Sequence, residues 1–209
     1  MSLSILKFPD VSGIEIEEAK QLLRTTVREH RQQRSRKMLK KLADAWTQPV
    51  LEFVGDRQTV ACYVSWKFEP SSLAVIEALQ AAGKTLLLPK LGPKLTRAWG
   101  YYQGEDDLTQ MAPERPPEPT GEAYSNEILG GVDALIIPAL AVSHTGARLG
   151  QGGGWYDRAL KQASPDALVG AMIYPEEFTD AYIPQNDLDV LVPYVITPDG
   201  ISPTAAAAE

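Results

Sequence analysis

The sequence predicts an α/β protein, a sheet with helices on both faces, and three observations support that class. Short apolar runs of strand length alternate with helical patterns along most of the chain. The most apolar run, residues 131–142, reads as a strand buried on both faces and therefore central. A glycine-rich segment follows it, and ligands in open α/β sheets bind at the carboxyl ends of strands.

Each element has its own signal. Residues 1–13 read as a flexible arm, 14–201 as a single domain and 202–209 as a disordered tail. A helix starts at Ile14, with Ile16, Ala19, Leu22, Leu23, Thr26 and Val27 at i, i+3, i+4 spacing. Ser35 can cap a second helix over 36–47 that turns Met38, Leu42 and Trp46 inward. A strand over 59–66, a helix over 71–82 closed by Gly83, and a strand over 85–89 come next. Strand-and-turn residues 98–104 lead into a proline-rich loop, 112–119, which fits a linker and a substrate-contacting loop equally. After the 131–142 strand come a helix over 156–162 and strands over 167–174 and 190–197.

Composition narrows the function. The 209 residues carry a net charge of −7, which argues against nucleic acid as the main partner. Nine of the 20 Lys and Arg residues nevertheless lie between Lys20 and Lys41. Lys20, Arg24, Arg28 and Arg31 fall within about 80° of one another on a helix, a stripe that fits an anion-facing surface and a solvated face alike. The single cysteine, Cys62, lies in an apolar run and reads as a core residue. No apolar stretch approaches the ~20 residues of a membrane span, and no signal-peptide pattern is seen. A soluble cytoplasmic monomer acting on small molecules is the expectation.

Residues Gly146 to Arg158 carry the most chemistry. Four of the five residues from Gly150 to Gly154 are glycine, able to aim successive N–H groups at one anion. Trp155 and Tyr156 add flat apolar surface, Arg148 and Arg158 add charge, and Asp157 is a possible metal ligand. The segment lacks the Lys-Ser/Thr of a Walker loop, and Trp155 stands where a dinucleotide fingerprint needs glycine. A structural tight turn is the competing reading.

The pattern Gly146-x-Arg-Leu-Gly-x-Gly-Gly-Gly-Trp-Tyr-Asp-Arg158, preceded by Pro138-Ala-Leu-Ala141, closely resembles the signature of the 5-formyltetrahydrofolate cyclo-ligase family. Lys20-x-x-Leu-Arg24, Tyr63-Val-Ser65 with Glu69, Gly83-Lys84, Leu88-Pro89-Lys90 and Glu118-Pro119 agree in the same order. The resemblance implies a three-layer α/β/α fold with a mostly parallel sheet, like that of sugar-phosphate isomerases and CoA transferases. It also implies ATP- and Mg²⁺-dependent closure of 5-formyltetrahydrofolate to 5,10-methenyltetrahydrofolate through phosphorylation of the formyl oxygen.

By the same resemblance, Lys20, Arg24, Arg148, Leu149, Gly150, Gln151, Gly152, Gly153, Gly154, Trp155 and Tyr156 form the ATP site. Lys20 and Arg148 take the catalytic part. Val64 and Glu69 contact the folate, joined by Trp155 and Tyr156, while Asp157 and Asp189 hold Mg²⁺. His30 and His144 read as packing or surface residues rather than general bases. The chain departs from the family pattern where Leu188 precedes Asp189, where Pro193 replaces a second acid, and around Glu176 and Glu177. A non-catalytic folate binder and an ATP-dependent enzyme for another formyl or amide substrate are the alternatives.

Overall fold

In the computed structural model, which describes residues 4–92 and 96–208, the order of elements follows the alternation in the sequence. Helix α1 (Ile16–Gln32) buries Ala19, Leu23 and Val27, and its buried face continues through Lys20, Arg24 and Arg31. Leu22, predicted for the core, lies on the opposite side and faces solvent. Ser35 caps α2 (Arg36–Lys41) by accepting from Met38 N, but this helix stops short of the predicted 47. Turns follow, and α3 (Thr47–Val54) begins anew. The break has two causes: buried Trp46 is tied through Nε1 to Ile173 O at 3.1 Å, and Pro49 is tolerated only in a helix's first turn.

Strand β1 (Thr59–Ala61) is shorter than predicted, because beyond Cys62, whose N–H still donates to Leu87 O, the chain leaves the ladder. Helix α4 (Leu73–Ala81) ends ahead of Gly83, which takes a positive φ of 77° as its sequence position suggested. Strands β2 (Thr85–Leu91) and β3 (Arg97–Tyr101) pair antiparallel, and the short β4 (Leu108–Thr109) and β5 (Glu118–Pro119) form a minor ladder. The apolar run 131–142 is not one strand. It yields β6 (Ala134–Pro138) and β7 (Ala141–Ser143), separated where Pro138 offers no N–H to continue the ladder.

The remainder is β8 (Arg148–Leu149), α5 (Trp155–Leu160), β9 (Leu168–Met172), β10 (Phe178–Thr179), β11 (Tyr194–Thr197) and β12 (Gly200–Pro203). The main sheet runs β12-β11-β9-β6-β1-β2-β3, with its inner pairs parallel and both edge pairs antiparallel. Alternate residues of its strands serve opposite faces. Val60, Leu86, Leu88 and Ile136 meet Val50, Phe53 and Leu79 of α3 and α4, while Ala61, Leu87, Leu135 and Ile137 meet Trp155, Ala159 and Leu160 of α5. Both faces are covered, which gives the three-layer arrangement.

Helix α1 packs elsewhere. Its Ala19, Leu23 and Val27 cluster with Leu140 and with Ala141 and Leu149 of a separate sheet, ordered β10-β7-β8. The segment before α1, expected to be free, lays Val11 into that cluster and donates from Ser4 Oγ to Gln33; residues 1–3 lie outside the described part. The segment expected as a disordered tail makes contacts too. Ser202 and Pro203 belong to β12, and buried Thr204 donates to Val192 O at 2.6 Å; Glu209 lies outside the described residues. An edge strand satisfied by backbone pairing needs no apolar pattern, so the short Gly-Ile-Ser-Pro stretch carried no strand signal. Among the described residues, no helix is long and apolar enough to cross a membrane.

Candidate functional site

At the carboxyl ends of β1 and β6 lies a cavity of about 560 Å³, floored by the glycine segment. The hairpin β7–β8 sends the chain toward it, with Ala141 opposite Leu149 and Val142 opposite Arg148. The loop therefore follows a small side sheet and not, as the sequence suggested, the central strand itself. Every predicted site residue lines this one cavity: Lys20, Arg24, Val64, Glu69, Arg148 to Tyr156, Asp157 and Asp189. Leu149 does so while also packing against α1.

The glycines have distinct reasons. Gly152 and Gly154 adopt φ of 101° and 57°, values that an L side chain rarely takes. Gly150 and Gly153 instead make room: an added Cβ would stand 2.8 Å from Arg148 Nη1 and 3.1 Å from Arg97 Nη2, respectively. Gly152 also admits Arg24, whose Nε donates to Gly150 O at 3.1 Å. Arg158 Nη2 donates to Gly153 O at 3.1 Å. Guanidinium groups thus surround the loop.

Cations and carboxylates are paired at the cavity wall. Arg148 Nη2 donates to Asp157 Oδ2 at 2.9 Å, and its buried Nε has no partner among the described residues. Lys20 is buried and meets Asp189 in a close ion pair. Val190 N donates to the other oxygen of Asp157 at 3.3 Å, so one short segment brings the two acids together. No cluster of three or more His, Cys, Asp or Glu able to hold a metal occurs among the described residues.

On the opposite wall Glu69 accepts from Trp66 N at 2.9 Å and from Gln151 Nε2 at 3.2 Å. Burial, outweighing these bonds and the nearby Arg31, raises the Glu69 carboxyl above the ordinary value of 4.5. Gln151 is in turn held by Arg28, whose Nη2 reaches Gln151 Oε1 at 2.8 Å. Trp155 stacks on Trp99 with centroids 5.0 Å apart, and Tyr156 packs beside both rings. Burial pushes the Tyr156 hydroxyl well above its ordinary pKa, so it stays protonated.

Several expectations change. Arg31 is not part of a solvated or anion-facing stripe: it is buried, bonded to Glu177 through Nε and Nη2 at 2.7 Å each, and to Ala139 O. His30 meets Ser4 O at 2.8 Å, and His144 meets exposed Asp180 at 2.6 Å; neither lines the cavity. Pro116 of the proline-rich loop does line it. Sequence reasoning missed Arg97, which reaches the cavity because β3 pairs with β2, a long-range event with no local signal.

A model of the 5-formyltetrahydrofolate cyclo-ligase family matches residues 16–198. The chain belongs to that family. As a cyclo-ligase family member it is a ligase-type enzyme. It is 37% identical over 147 residues to the 5-formyltetrahydrofolate cyclo-ligase of Mycolicibacterium smegmatis, covering 68% of this chain and 74% of the relative. The Escherichia coli protein of that name is 30% identical over 150 residues, covering 68% and 79%. The solution structure of Aquifex aeolicus 5,10-methenyltetrahydrofolate synthetase superposes with a TM-score of 0.71 at 24% identity, covering 88% of this chain and 92% of that one. That likeness shows a shared fold.

Proposed function

We propose that this chain converts 5-formyltetrahydrofolate to 5,10-methenyltetrahydrofolate with ATP and Mg²⁺, releasing ADP and phosphate, as a cytoplasmic monomer. The observation that carries the reading is one cavity shared by a glycine loop ringed with guanidinium groups and a half-buried carboxyl suited to a pterin. A triphosphate fits the donors present. Gly150 to Gly154 offer main-chain N–H groups, and the unpartnered Nε of Arg148 is a buried donor awaiting an acceptor. Magnesium fits as well, since Asp157 and Asp189 supply the one or two carboxylates that it combines with phosphates and water.

An N5-formyl group is an amide, and its carbon resists attack by N10. Transfer of the γ-phosphoryl group to the formyl oxygen releases ADP and leaves an iminium-like carbon. N10 adds to that carbon, loses its proton, and the oxygen departs with phosphate. The chain needs no nucleophile of its own for this sequence, in keeping with the buried Cys62. Its residues position and neutralise. Lys20, Arg24 and Arg148 would balance phosphate charge, and guanidinium suits bidentate contact with phosphate oxygens. Magnesium, held by Asp157 and Asp189, would supply further charge neutralisation. Glu69 would accept from the pterin N–H groups, Val64 would wall the pocket, and Trp155 and Tyr156 would exclude water.

The test is direct. Purified protein with 5-formyltetrahydrofolate and MgATP is expected to generate methenyl absorbance in step with ADP. Folate binding without turnover, or turnover that does not need ATP, would overturn this reading in favour of a folate binder or a different reaction.

A further inference from the structure

We infer that Arg97, at the start of β3, is an additional phosphate-binding residue of the cavity, and that Gly153 is glycine in order to admit it. This deepens the ATP-dependent reading and rests on it. Arg24 lies 3.9 Å from Glu17, Arg148 is paired with Asp157, and Arg158 donates to Gly153 O. The Arg97 side chain lines the same cavity but has neither an ion pair nor a hydrogen bond with any described residue. Its guanidinium rests near the Trp155 ring, 5.5 Å from the centroid, which restricts its orientation without satisfying its N–H groups.

The glycine supports the assignment from a second direction. Gly153 does not take a left-handed φ, so its backbone conformation does not demand glycine. What a side chain there would meet is Arg97: Nη2 at 3.1 Å and Cζ at 3.7 Å from the position of a Cβ. The missing side chain is therefore filled by a guanidinium reaching in from another strand. An arginine with five donors, no carboxylate partner and a seat against loop amides is suited to oxygens of a phosphoryl group. A carboxylate of the folate tail has the same chemistry, and the two sources separate experimentally.

The experiment measures dissociation constants by calorimetry for a non-hydrolysable ATP analogue with Mg²⁺ and, separately, for 5-formyltetrahydrofolate. The proteins are wild type, Arg97→Ala, Gly153→Ala and the double variant, each first matched for melting temperature. Arg97→Ala is expected to weaken the nucleotide by between about ten- and a hundred-fold while folate binding stays within about two-fold. Gly153→Ala should weaken the nucleotide in the same sense, and add little once Arg97 is gone, because its effect acts through the displaced guanidinium. Nucleotide binding unchanged in Arg97→Ala, losses that multiply in the double variant, or weakening of folate alone would overturn the assignment. Wild-type protein that binds no nucleotide would instead remove the ATP reading itself.

Discussion

The two halves of α1 carry the same kind of residue on the same face and do opposite work. In the first half Lys20 and Arg24 line the cavity, and the Lys20 partner, Asp189, remains partly open to solvent. In the second half Arg31 is sealed against Glu177; Arg34, just beyond the helix, pairs with part-exposed Glu176 and lies 3.5 Å above the Tyr174 ring. Glu177 is fully buried, accepting two bonds from Arg31 and one into its Oε2 from Tyr174 N. The lesson concerns exchange. A cation whose carboxylate can reach water is able to trade that partner for a phosphate, whereas one locked in a buried bidentate pair acts as a structural clamp.

Breaking the clamp should have the largest effect. Arg31→Ala leaves Glu177 buried without its partner and is expected to cost about 3–5 kcal/mol, read as a lowered midpoint in urea. Lys20→Ala leaves Asp189 part-exposed and still accepting from Asn186 N, so it should cost less stability than Arg31→Ala, whose partner is fully buried. Similar stability losses in the two variants would erase the distinction between the halves.

Chemistry should respond the other way. Asp157→Asn keeps an acceptor oxygen for either Arg148 or Val190 N but not both; with one hydrogen bond lost the fold should persist, while turnover falls on the order of a hundred-fold, with a raised Mg²⁺ requirement. An unchanged rate at limiting Mg²⁺ would remove Asp157 from the proposed metal site. Glu69→Gln should weaken folate by about ten-fold while sparing nucleotide. Equal losses for both ligands would show that Glu69 supports the loop and not the pterin.

Glu69 also predicts a pH dependence with opposite signs for stability and binding. Its carboxyl is held above 4.5 by burial, so the native state binds its proton more tightly than the unfolded chain does. Its contribution to stability is complete below 4.5 and falls as pH rises through the raised value. Folate affinity should rise through the same window, because the ionised form is the acceptor. Both slopes should vanish in Glu69→Gln. The smallest effect expected is at Cys62, whose thiol burial pushes up to about 12. It should resist alkylation until the protein unfolds, and rapid labelling of the native state would contradict its place in the core.

Much of this was legible in the chain because it is local. The alternation of short apolar runs with helices specified the sheet, and Gly150 to Gly154 marked the loop whose conformation and close approaches require glycine. Lys20, Arg24, Asp157 and Asp189 were legible through their match to a family pattern, and their convergence on one cavity follows from the fold. Pairing was not legible. The run 131–142 reads as one strand, yet Pro138 divides it between two sheets. The Gly-Ile-Ser-Pro residues of β12 gain their order from a backbone ladder with β11 that leaves little mark on side-chain pattern.

The sequence alone therefore determined the α/β class, the glycine loop and the identity of the charged groups, since each depends on neighbours within a turn or a strand. Tertiary structure decided which cations serve the cavity and which clamp the frame. That outcome depends on whether a carboxylate from 146 residues away arrives sealed, as Glu177 does for Arg31. It also decided that Arg97 belongs at the loop, because strand order, which is set by long-range pairing and burial, lies outside local pattern.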